Sequence, residues 1–420
     1  MSAAGNLNAG STHRSWKHVP VTALLRPALD VSDLFALDPA RTHLSPGAYG
    51  AVPRPVLEAQ QTWRARAEAD PHRFHGVEQR TAVVAGRHAA ADWLGVPRDA
   101  LALVTNVTEA ASTMLAALDL RAGDEIVLSN HGYGAIRRAV EVWCARAGVV
   151  LREAIVSLDA DDETVVGAYA EQLSERTRLV VVDQITSPTA RMMPVRAVVA
   201  AARGADAMVL VDAAHGPGHV DVDVEDLGAD AWVGNLHKWA FAARGTAALW
   251  IAPHWRARAR PLVLGWTAAD GFPDCFDARG TVDLSAWMTV PNALRLWESL
   301  GGWQMVTRNA QLADWGQRLV ADAIGVSLAH TPATPAPAMR LIPLPAGTAA
   351  DEAAAAALYH DLSAESVEVG VISWGGRGWL RPGTQVFTTE DDHVRLAEVL
   401  RRLLGYRPAN RSSASTIEYA

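Results

Sequence analysis

Residues 207–250 of the 420-residue chain, AMVLVDAAHGPGHVDVDVEDLGADAWVGNLHKWAFAARGTAALW, decide the fold. The stretch opens with an apolar run, residues 208–211, that ends at Asp212. A second apolar run, residues 231–234, leads into Asn235-Leu236-His237-Lys238-Trp239. Short runs of Val, Leu and Ile that do not alternate with polar residues are typical of parallel strands buried on both faces. Asp212 and Lys238 therefore each follow a predicted strand of such a sheet.

Lysine is nearly absent from this chain. Of the 38 Lys and Arg residues, only Lys17 and Lys238 are lysine, and the other 36 are arginine. Arginine replaces lysine as a surface charge, but it does not replace lysine as an amine that loses its proton and attacks a carbonyl group. The sequence therefore indicates a chemical role for Lys238, which lies between His237 and Trp239.

The composition is that of an ordinary globular protein. The chain is 50% hydrophobic and 20% charged, and its net charge of -8 disfavours nucleic acid as a partner, since phosphate binding needs a basic face. Cys144 and Cys275 are too few for a disulfide framework and lack metal-site spacing. No apolar run reaches the roughly 18 residues of a membrane span, and residues 1–20 lack the apolar core of a signal peptide. We therefore expect a cytoplasmic protein that does not bind a membrane.

Strand and helix patterns alternate through the first 300 residues. The predicted strands are residues 101–105, 125–129, 178–183, 207–212 and 246–251. The predicted helices among them are residues 108–118, 135–147, 162–175 and 194–203. This alternation predicts an α/β fold whose mostly parallel sheet is covered by helices.

A second region begins near residue 300. A long helix is predicted over 304–324, and short strands over 339–344, 367–372 and 379–381. Thr389-x-x-Asp392 resembles a capping box and is expected to open the last helix. We predict an N-terminal segment (1–40), a large domain (41–300), a small C-terminal α+β domain (301–405) and a disordered tail (406–420).

Several motifs together resemble the class V aminotransferase family, whose members are pyridoxal 5'-phosphate (PLP) enzymes of fold type I. The matching segments are residues 211–218, 234–239, 185–189 and 279–283, with the opening loop 44–53. The nearer likeness is to isopenicillin N epimerase-like proteins and related C–S lyases. The resemblance implies a PLP-dependent enzyme that acts on an amino-acid substrate, with a large PLP-binding domain and a small C-terminal domain.

The resemblance also implies catalytic roles for Lys238 and Asp212. Lys238 would bind the aldehyde of PLP and then move protons at the substrate Cα. Asp212 would keep the pyridine nitrogen protonated, so that the ring works as an electron sink. The phosphate would lie against a helix N-terminus after the predicted strand 101–105. The predicted cofactor-binding residues are Val107, Thr108, Tyr133, Thr186, Asp212, His215, Asn235, His237, Lys238, Gly280 and Thr281.

Three parts of the cofactor are assigned by the resemblance to individual side chains. Tyr133 is our choice for stacking on the pyridine ring, with His131 as the second choice. His215 would approach the phenolic oxygen of PLP. Asn235 and His237 would approach its phosphate.

Two further segments are implied to complete the site. Gly280-Thr281 matches a segment that reaches the partner's phosphate across a dimer, which implies a homodimer with shared active sites. Arg381 matches the arginine that binds the substrate α-carboxylate as a bidentate cation. Beyond Arg381 the chain departs from the family pattern at Pro382-Gly383 and Phe387-Thr388, which suggests an unusual substrate.

Other cofactors are not indicated. His215 and His219 have the spacing of a helical zinc pair, but the Gly-Pro-Gly between them would not hold a helix. No glycine-rich dinucleotide or phosphate loop follows a predicted strand. The sequence therefore predicts no metal and no nucleotide.

The reaction is less well defined than the cofactor. Desulfurases of this class carry a cysteine shortly before the carboxylate-binding arginine, and neither Cys144 nor Cys275 stands there. This argues against sulfur delivery through a persulfide and favours β-elimination from a cysteine conjugate by a C–S lyase. Epimerisation, transamination and decarboxylation-coupled deamination use the same residues and remain open. A catalytically silent PLP-fold binding protein is the alternative of a different class.

Overall fold

The computed structural model describes residue 31 and residues 33–405, so most of the predicted segment 1–40 and the whole predicted tail 406–420 lie outside the description. The strands are β1 (Thr42–His43), β2 (Leu101–Val104), β3 (Glu125–Ser129), β4 (Val150–Ala154), β5 (Thr177–Asp183), β6 (Met208–Asp212), β7 (Ala231–Asn235), β8 (Ala247–Ile251), β9 (Ile342–Pro343), β10 (Val367–Glu368), β11 (Gly370–Trp374) and β12 (Arg377–Arg381). The α-helices are α1 (Pro46–Tyr49), α2 (Arg54–Ala69), α3 (Pro71–Arg73), α4 (Gln79–Leu94), α5 (Val107–Ala117), α6 (Gly134–Ala147), α7 (Asp162–Ala170), α8 (Val195–Arg203), α9 (Leu236–Trp239), α10 (Pro253–Arg256), α11 (Ser285–Met288), α12 (Val290–Ser299), α13 (Trp303–Ala323), α14 (Glu352–Ala364) and α15 (Glu390–Leu403).

Seven strands form the central sheet, in the order β2-β8-β7-β6-β5-β3-β4. Neighbouring strands are parallel except around β8, which runs antiparallel to both β2 and β7. The α/β prediction with a mostly parallel sheet is therefore confirmed. The edge strand β4 was not predicted, because only Ala154 of this strand is buried and the rest lacks a compact apolar run.

Apolar side chains bury the sheet on both faces. Val209 and Val211 of β6 pack into one hydrophobic cluster, whereas Met208 and Leu210 pack into a second cluster on the opposite face. Helices cover each cluster, which explains why the strands are apolar at every position rather than at alternate ones. The predicted helix 162–175 is shorter than expected and ends at Ala170.

The C-terminal region has its own small sheet and core. Strands β11, β12 and β9 form an antiparallel sheet, and the predicted strand 339–344 is reduced to β9. The predicted capping box is confirmed, since Thr389 and Asp392 cap α15 reciprocally. Strand β1 pairs in parallel with β10, so residues before α2 contact this region. The division into 41–300 and 301–405 stays a prediction.

The loop around α1 lies directly against the helix that carries Lys238. Gly50 has a φ of +68°, and a Cβ atom there would lie 1.8 Å from the backbone oxygen of His237. Only glycine allows both this left-handed conformation and this close approach. The loop is thereby held over α9.

Candidate active site

Lys238 lies in the short helix α9, directly after β7, and its side chain is buried. Its Nζ is 3.3 Å from Nε2 of His215. The pKa of Lys238 is lowered to about 8, mainly by burial. Asp212 opposes this shift, and Arg381 adds to it. An amine with this pKa is partly uncharged near neutral pH, as a nucleophile or a base requires.

Two buried carboxyl groups lie side by side at the ends of β5 and β6. Asp183 and Asp212 are paired in the sheet register, and Asp212 accepts a hydrogen bond from the Ala214 amide at 2.9 Å. Burial raises the pKa of Asp212 to about 6, and Lys238 opposes this shift. Burial and the neighbouring Asp212 raise the pKa of Asp183 well above its ordinary value. Of the two carboxyl groups, Asp212 is the one whose negative charge is stabilised by the Lys238 amine and the Ala214 amide.

Asp183 received no role from the sequence, although its position matches that of Asp212. Both residues end an apolar strand, and the register of two parallel strands brings them together. The signal was therefore present in residues 178–183, but pairing the two strand ends required the strand order.

The part of the site that is predicted to bind the cofactor phosphate lies at the N-terminus of α5. Asn106 caps this helix by accepting from the Glu109 amide at 3.0 Å. The Val107 amide donates to Oδ1 of Asn235 at 3.0 Å, so these two groups are bonded to each other. The contacts of Val107 and Asn235 with the phosphate stay predictions. The half-buried Thr108 has an amide and a hydroxyl that donate to no acceptor in the described part of the chain.

His237 also lies beside this end of the sheet. Its Nδ1 donates to the backbone oxygen of Thr246 at 3.0 Å, and burial lowers its pKa to about 4. The free Nε2 is therefore an acceptor, and contact with a phosphate requires that this nitrogen take up a proton.

The two candidates for stacking on the pyridine ring are in different surroundings. His131 is fully buried, is bonded through Nδ1 to the Thr189 hydroxyl and lies against the ring of Trp374. Tyr133 is 36% exposed, and the charges of Asp212 and Arg381 both act on its hydroxyl. Tyr133 is therefore the more accessible of the two candidates.

Arg381 is the last residue of β12, and it is buried. Its Nη1 donates to the backbone oxygen of Ser187 and, at 3.3 Å, to the Ser187 hydroxyl. Burial lowers its pKa to about 10, so it remains a cation near neutral pH. Its positive charge contributes to the lowered pKa of both Lys238 and His215. Nothing in the sequence connected Ser187 with Arg381.

The hydroxyl of Thr186 is committed to the turn that positions Ser187. It bonds the Thr189 hydroxyl at 2.6 Å and accepts from the Arg191 amide at 2.9 Å, and the residue is fully buried. The observed role of this hydroxyl is to hold the turn, and its contact with the cofactor stays a prediction.

The two departures from the family pattern after Arg381 serve packing. Phe387 lies edge-on against Phe35 with ring centroids 5.0 Å apart. The Gly383 amide donates to the Leu44 oxygen at 2.7 Å, and a Cβ at Gly383 would lie 3.1 Å from Pro46. Both positions contact the segment 35–46, so they give no support to an unusual substrate.

Gly280 and Thr281 are not assembled with the other predicted residues. Both are exposed, and Gly280 has a φ of +81°. The preceding Arg279 is held by an ion pair with Glu109 and by its position over the Trp287 ring. The segment is therefore anchored at Arg279 and presents Gly280-Thr281 outward.

The chemistry of these groups fits PLP. A pyridine nitrogen needs a buried anion, and Asp212 supplies one. An aldehyde needs an uncharged amine, and Lys238 supplies it. A phosphate needs a helix N-terminus with a hydroxyl, and Thr108 on α5 offers both.

A buried lysine amine, a strand-end aspartate and a helix N-terminus at one edge of a mostly parallel sheet define a PLP-dependent enzyme of fold type I. The chain belongs to the class V aminotransferase family, since the sequence profile of that family matches residues 45–359. The predicted family and cofactor are therefore confirmed.

Two kinds of characterised relative match most of the chain. It is 30% identical over 389 residues to isopenicillin N epimerase of Streptomyces clavuligerus, which covers 88% of this chain and 96% of the epimerase. It is 27% identical over 430 residues to L-cysteine desulfhydrase of Arabidopsis thaliana, which covers 93% of this chain and 94% of the desulfhydrase.

Solved structures share the fold. The cystine C–S lyase C-DES, in complex with its reaction product cysteine persulfide, matches with a TM-score of 0.71 and 21% identity over 86% of this chain and 97% of that one. The apo cysteine desulfurase from Thermococcus onnurineus NA1 matches with a TM-score of 0.73 and 18% identity over 90% of this chain and 98% of that one. Among the described helices, none combines the length and apolar character needed to cross a membrane.

Proposed function

We propose that Lys238 binds the cofactor aldehyde, that Asp212 faces its ring nitrogen, and that Thr108 with a protonated His237 holds its phosphate. The support is the position of these groups at one edge of the sheet and the lowered pKa of the Lys238 amine. When bound, PLP supplies the electron sink that stabilises negative charge at Cα. Arg381, fixed by Ser187, would hold the substrate carboxylate.

We propose further that the reaction is β-elimination from an S-substituted cysteine. The Lys238 amine takes the Cα proton, the Cβ–S bond breaks, and the thiolate leaves with the electron pair of that bond. Water then hydrolyses the three-carbon remainder to pyruvate and ammonia. The observation that carries this proposal is a buried amine base in a site without a cysteine, since Cys144 and Cys275 are both buried elsewhere, in the hydrophobic cluster on one face of the large sheet.

The test is incubation of the holoenzyme with an S-substituted cysteine, followed by assays for thiol, pyruvate and ammonia. We expect equal amounts of the three products from the wild-type chain and none from Lys238→Ala. A Cys144→Ala/Cys275→Ala variant should keep the activity, because neither thiol takes part. Loss of turnover in a folded double variant, or release of alanine instead of pyruvate, would contradict the elimination.

Epimerisation is the second candidate, because the matched region of the epimerase relative spans 96% of that enzyme. An epimerase returns the proton to Cα and keeps the substituent. Incubation in deuterated water therefore separates the two reactions. Deuterium at Cα of an otherwise intact, racemised substrate would favour epimerisation over elimination.

We also propose that the enzyme is a cytoplasmic homodimer with shared active sites. Thr281 is exposed, and the neighbouring segment exposes Leu262, Val263, Leu264 and Trp266 by 47%, 57%, 68% and 97%. Contiguous apolar exposure of this kind marks a contact surface. The free cysteines support a reducing compartment.

Sedimentation should therefore give a dimer that Trp266→Ser weakens. A mixture of Lys238→Ala and Thr281→Arg chains tests the sharing of sites, because one site of each mixed dimer then contains both natural residues. Activity in the mixture that neither variant shows alone is the expected result. A monomer of full activity would contradict the proposal.

A further inference from the structure

The two ring nitrogens of His215 face different partners. Nδ1 lies 3.4 Å from Nε1 of Trp239, and Nε2 lies 3.3 Å from Nζ of Lys238. An indole nitrogen carries a hydrogen and cannot accept a hydrogen bond. The contact between Trp239 and His215 therefore has only one sense, in which Trp239 donates and Nδ1 of His215 accepts.

The Trp239 ring that makes this contact is fixed from both sides. The imidazole of His219 stacks on it, with centroids 4.1 Å apart and planes inclined by 24°. On another side, a Cβ at Gly47 would lie 3.1 Å from the Trp239 ring and 3.4 Å from the His215 ring. The loop that contains Gly47 thus packs closely on both rings, and the indole cannot turn its N–H away from His215.

The hydrogen bonds of His219 fix its own protonation state in the same way. Its Nε2 accepts from the Ala338 amide at 2.8 Å, and its Nδ1 donates to the backbone oxygen of His215 at 3.1 Å. Each nitrogen therefore has one defined role. His219 is a neutral ring that holds the backbone of His215 and the face of Trp239.

A neutral imidazole carries one hydrogen, on one nitrogen. His215 is buried, and burial together with the charges of Lys238 and Arg381 lowers its pKa well below the ordinary value. The ring is therefore neutral, and because Nδ1 accepts from Trp239, the hydrogen is on Nε2. That hydrogen points to the Lys238 amine, which accepts it when uncharged.

We infer that Trp239 is a positioning residue that holds His215 as the Nε2–H tautomer, so that His215 presents a hydrogen-bond donor toward Lys238 and the phenolic oxygen of the cofactor. The cofactor part of this inference rests on the proposed function of Lys238 and His215. A donor at the phenolic oxygen stabilises its negative charge and makes the adjacent lysine–cofactor link easier to deprotonate. The pH at which the visible band of the bound cofactor changes is thereby lowered.

The direct test is nitrogen NMR on the cofactor-free protein with labelled histidine, assigned by the signal lost in His215→Gln. We expect His215 to show an unprotonated Nδ1 and a protonated Nε2 above about pH 8, where the Lys238 amine is uncharged and accepts from it. A protonated Nδ1, or an imidazolium, in that pH range would overturn the inference. This result does not depend on the cofactor, so it stands apart from any failure of the proposed function.

The second test is the absorbance titration of Trp239→Phe, which keeps an aromatic ring and removes the donor. We expect the pH midpoint of the cofactor band to rise by about 0.5 to 1 unit, the size of one net hydrogen bond. Trp287→Phe is the matched control, because the buried indole of Trp287 donates to the backbone oxygen of Gly245. Its midpoint should equal that of the wild-type chain.

A glutamine at position 215 separates tautomer control from packing. His215→Gln retains a donor and has no tautomer, so Trp239→Phe should leave the midpoint unchanged in that background. An equal rise in both backgrounds would show that Trp239 acts by packing and would overturn the inference. Failure of the wild-type chain to form a coloured complex with PLP would instead refute the proposed function, while the NMR result would still decide the tautomer.

Discussion

Substitution of Arg381 by lysine keeps the charge and removes the fork of the guanidinium group. In the structure one arm of that fork, Nη1, is already bound by Ser187, and the residue is only 8% exposed. A lysine amine could satisfy Ser187 or a substrate carboxylate but would lose the bidentate geometry. The variant should therefore bind the substrate carboxylate through one hydrogen bond fewer.

The size of the loss follows from that one bond. A hydrogen bond to a charged group contributes about 1.5–3 kcal/mol, which corresponds to a decrease of roughly 10- to 150-fold in kcat/KM. The decrease should be mainly in KM, because the carboxylate is bound equally before and during the reaction. Ser187→Ala removes only a hydroxyl contact at 3.3 Å and should cost less than tenfold.

Steady-state rates with an S-substituted cysteine, together with spectroscopic titration of substrate binding, measure both variants. Arg377→Lys is the matched control, since Arg377 is in the same strand and contacts the Leu344 oxygen and the Trp379 ring. An unchanged KM in folded Arg381→Lys would refute the assignment of this arginine to the substrate carboxylate. A loss of equal size in the Arg377 variant would show a general disturbance of β12.

Three further outcomes are expected. Colour formation on adding PLP to cofactor-free protein should quicken with pH and level off above about 8, because burial lowers the pKa of Lys238 to that value and only the uncharged amine reacts; a rate independent of pH would contradict this. Asp212→Asn should lower kcat by about 10²–10³-fold, whereas Asp183→Asn, which leaves Asp212 and its hydrogen bond from the Ala214 amide in place, should keep most activity; equal losses would refute the division of roles. Glu125 binds Ser174 and two arginines, and the Ser174 hydrogen bond is the main cause of the lowered pKa of Glu125. The stability that Glu125 contributes is therefore present above the ordinary glutamate pKa and is lost as the pH falls through the lower pKa of the folded state. Urea titrations should show that Glu125→Gln loses less stability in acid than the wild-type chain.

The site residues that could be predicted are those whose position follows from a single strand and the residues directly after it. Asp212 and Lys238 follow apolar runs directly, and the scarcity of lysine singled out Lys238. The partners that modify them were not predictable, because they come from distant segments. Asn235 reaches Val107 across 128 residues, and Arg381 reaches Ser187 across 194.

Residue type alone also did not predict which hydrogen bonds some polar groups make within the protein. Thr186 and the Val107 amide have the chemistry to bind a phosphate or cofactor, and they are bonded to a local turn and to the Asn235 side chain. From the sequence we predicted no role for Trp239, although the one polar atom of its side chain faces His215. Which hydrogen bonds a buried group makes depends on the tertiary contacts that bury it.

The loop that links β1 to α2 has a consequence for exchanging parts between related enzymes. Its strand Thr42–His43 pairs with β10, Leu44 lies in the C-terminal core, and Gly47 and Gly50 pack on Trp239 and His237. A graft of the C-terminal region alone would therefore separate Arg381 from the loop that fits it to α9. The interchangeable unit is discontinuous in sequence, and a functional chimera must carry residues 42–50 together with the region that contains β9 to α15.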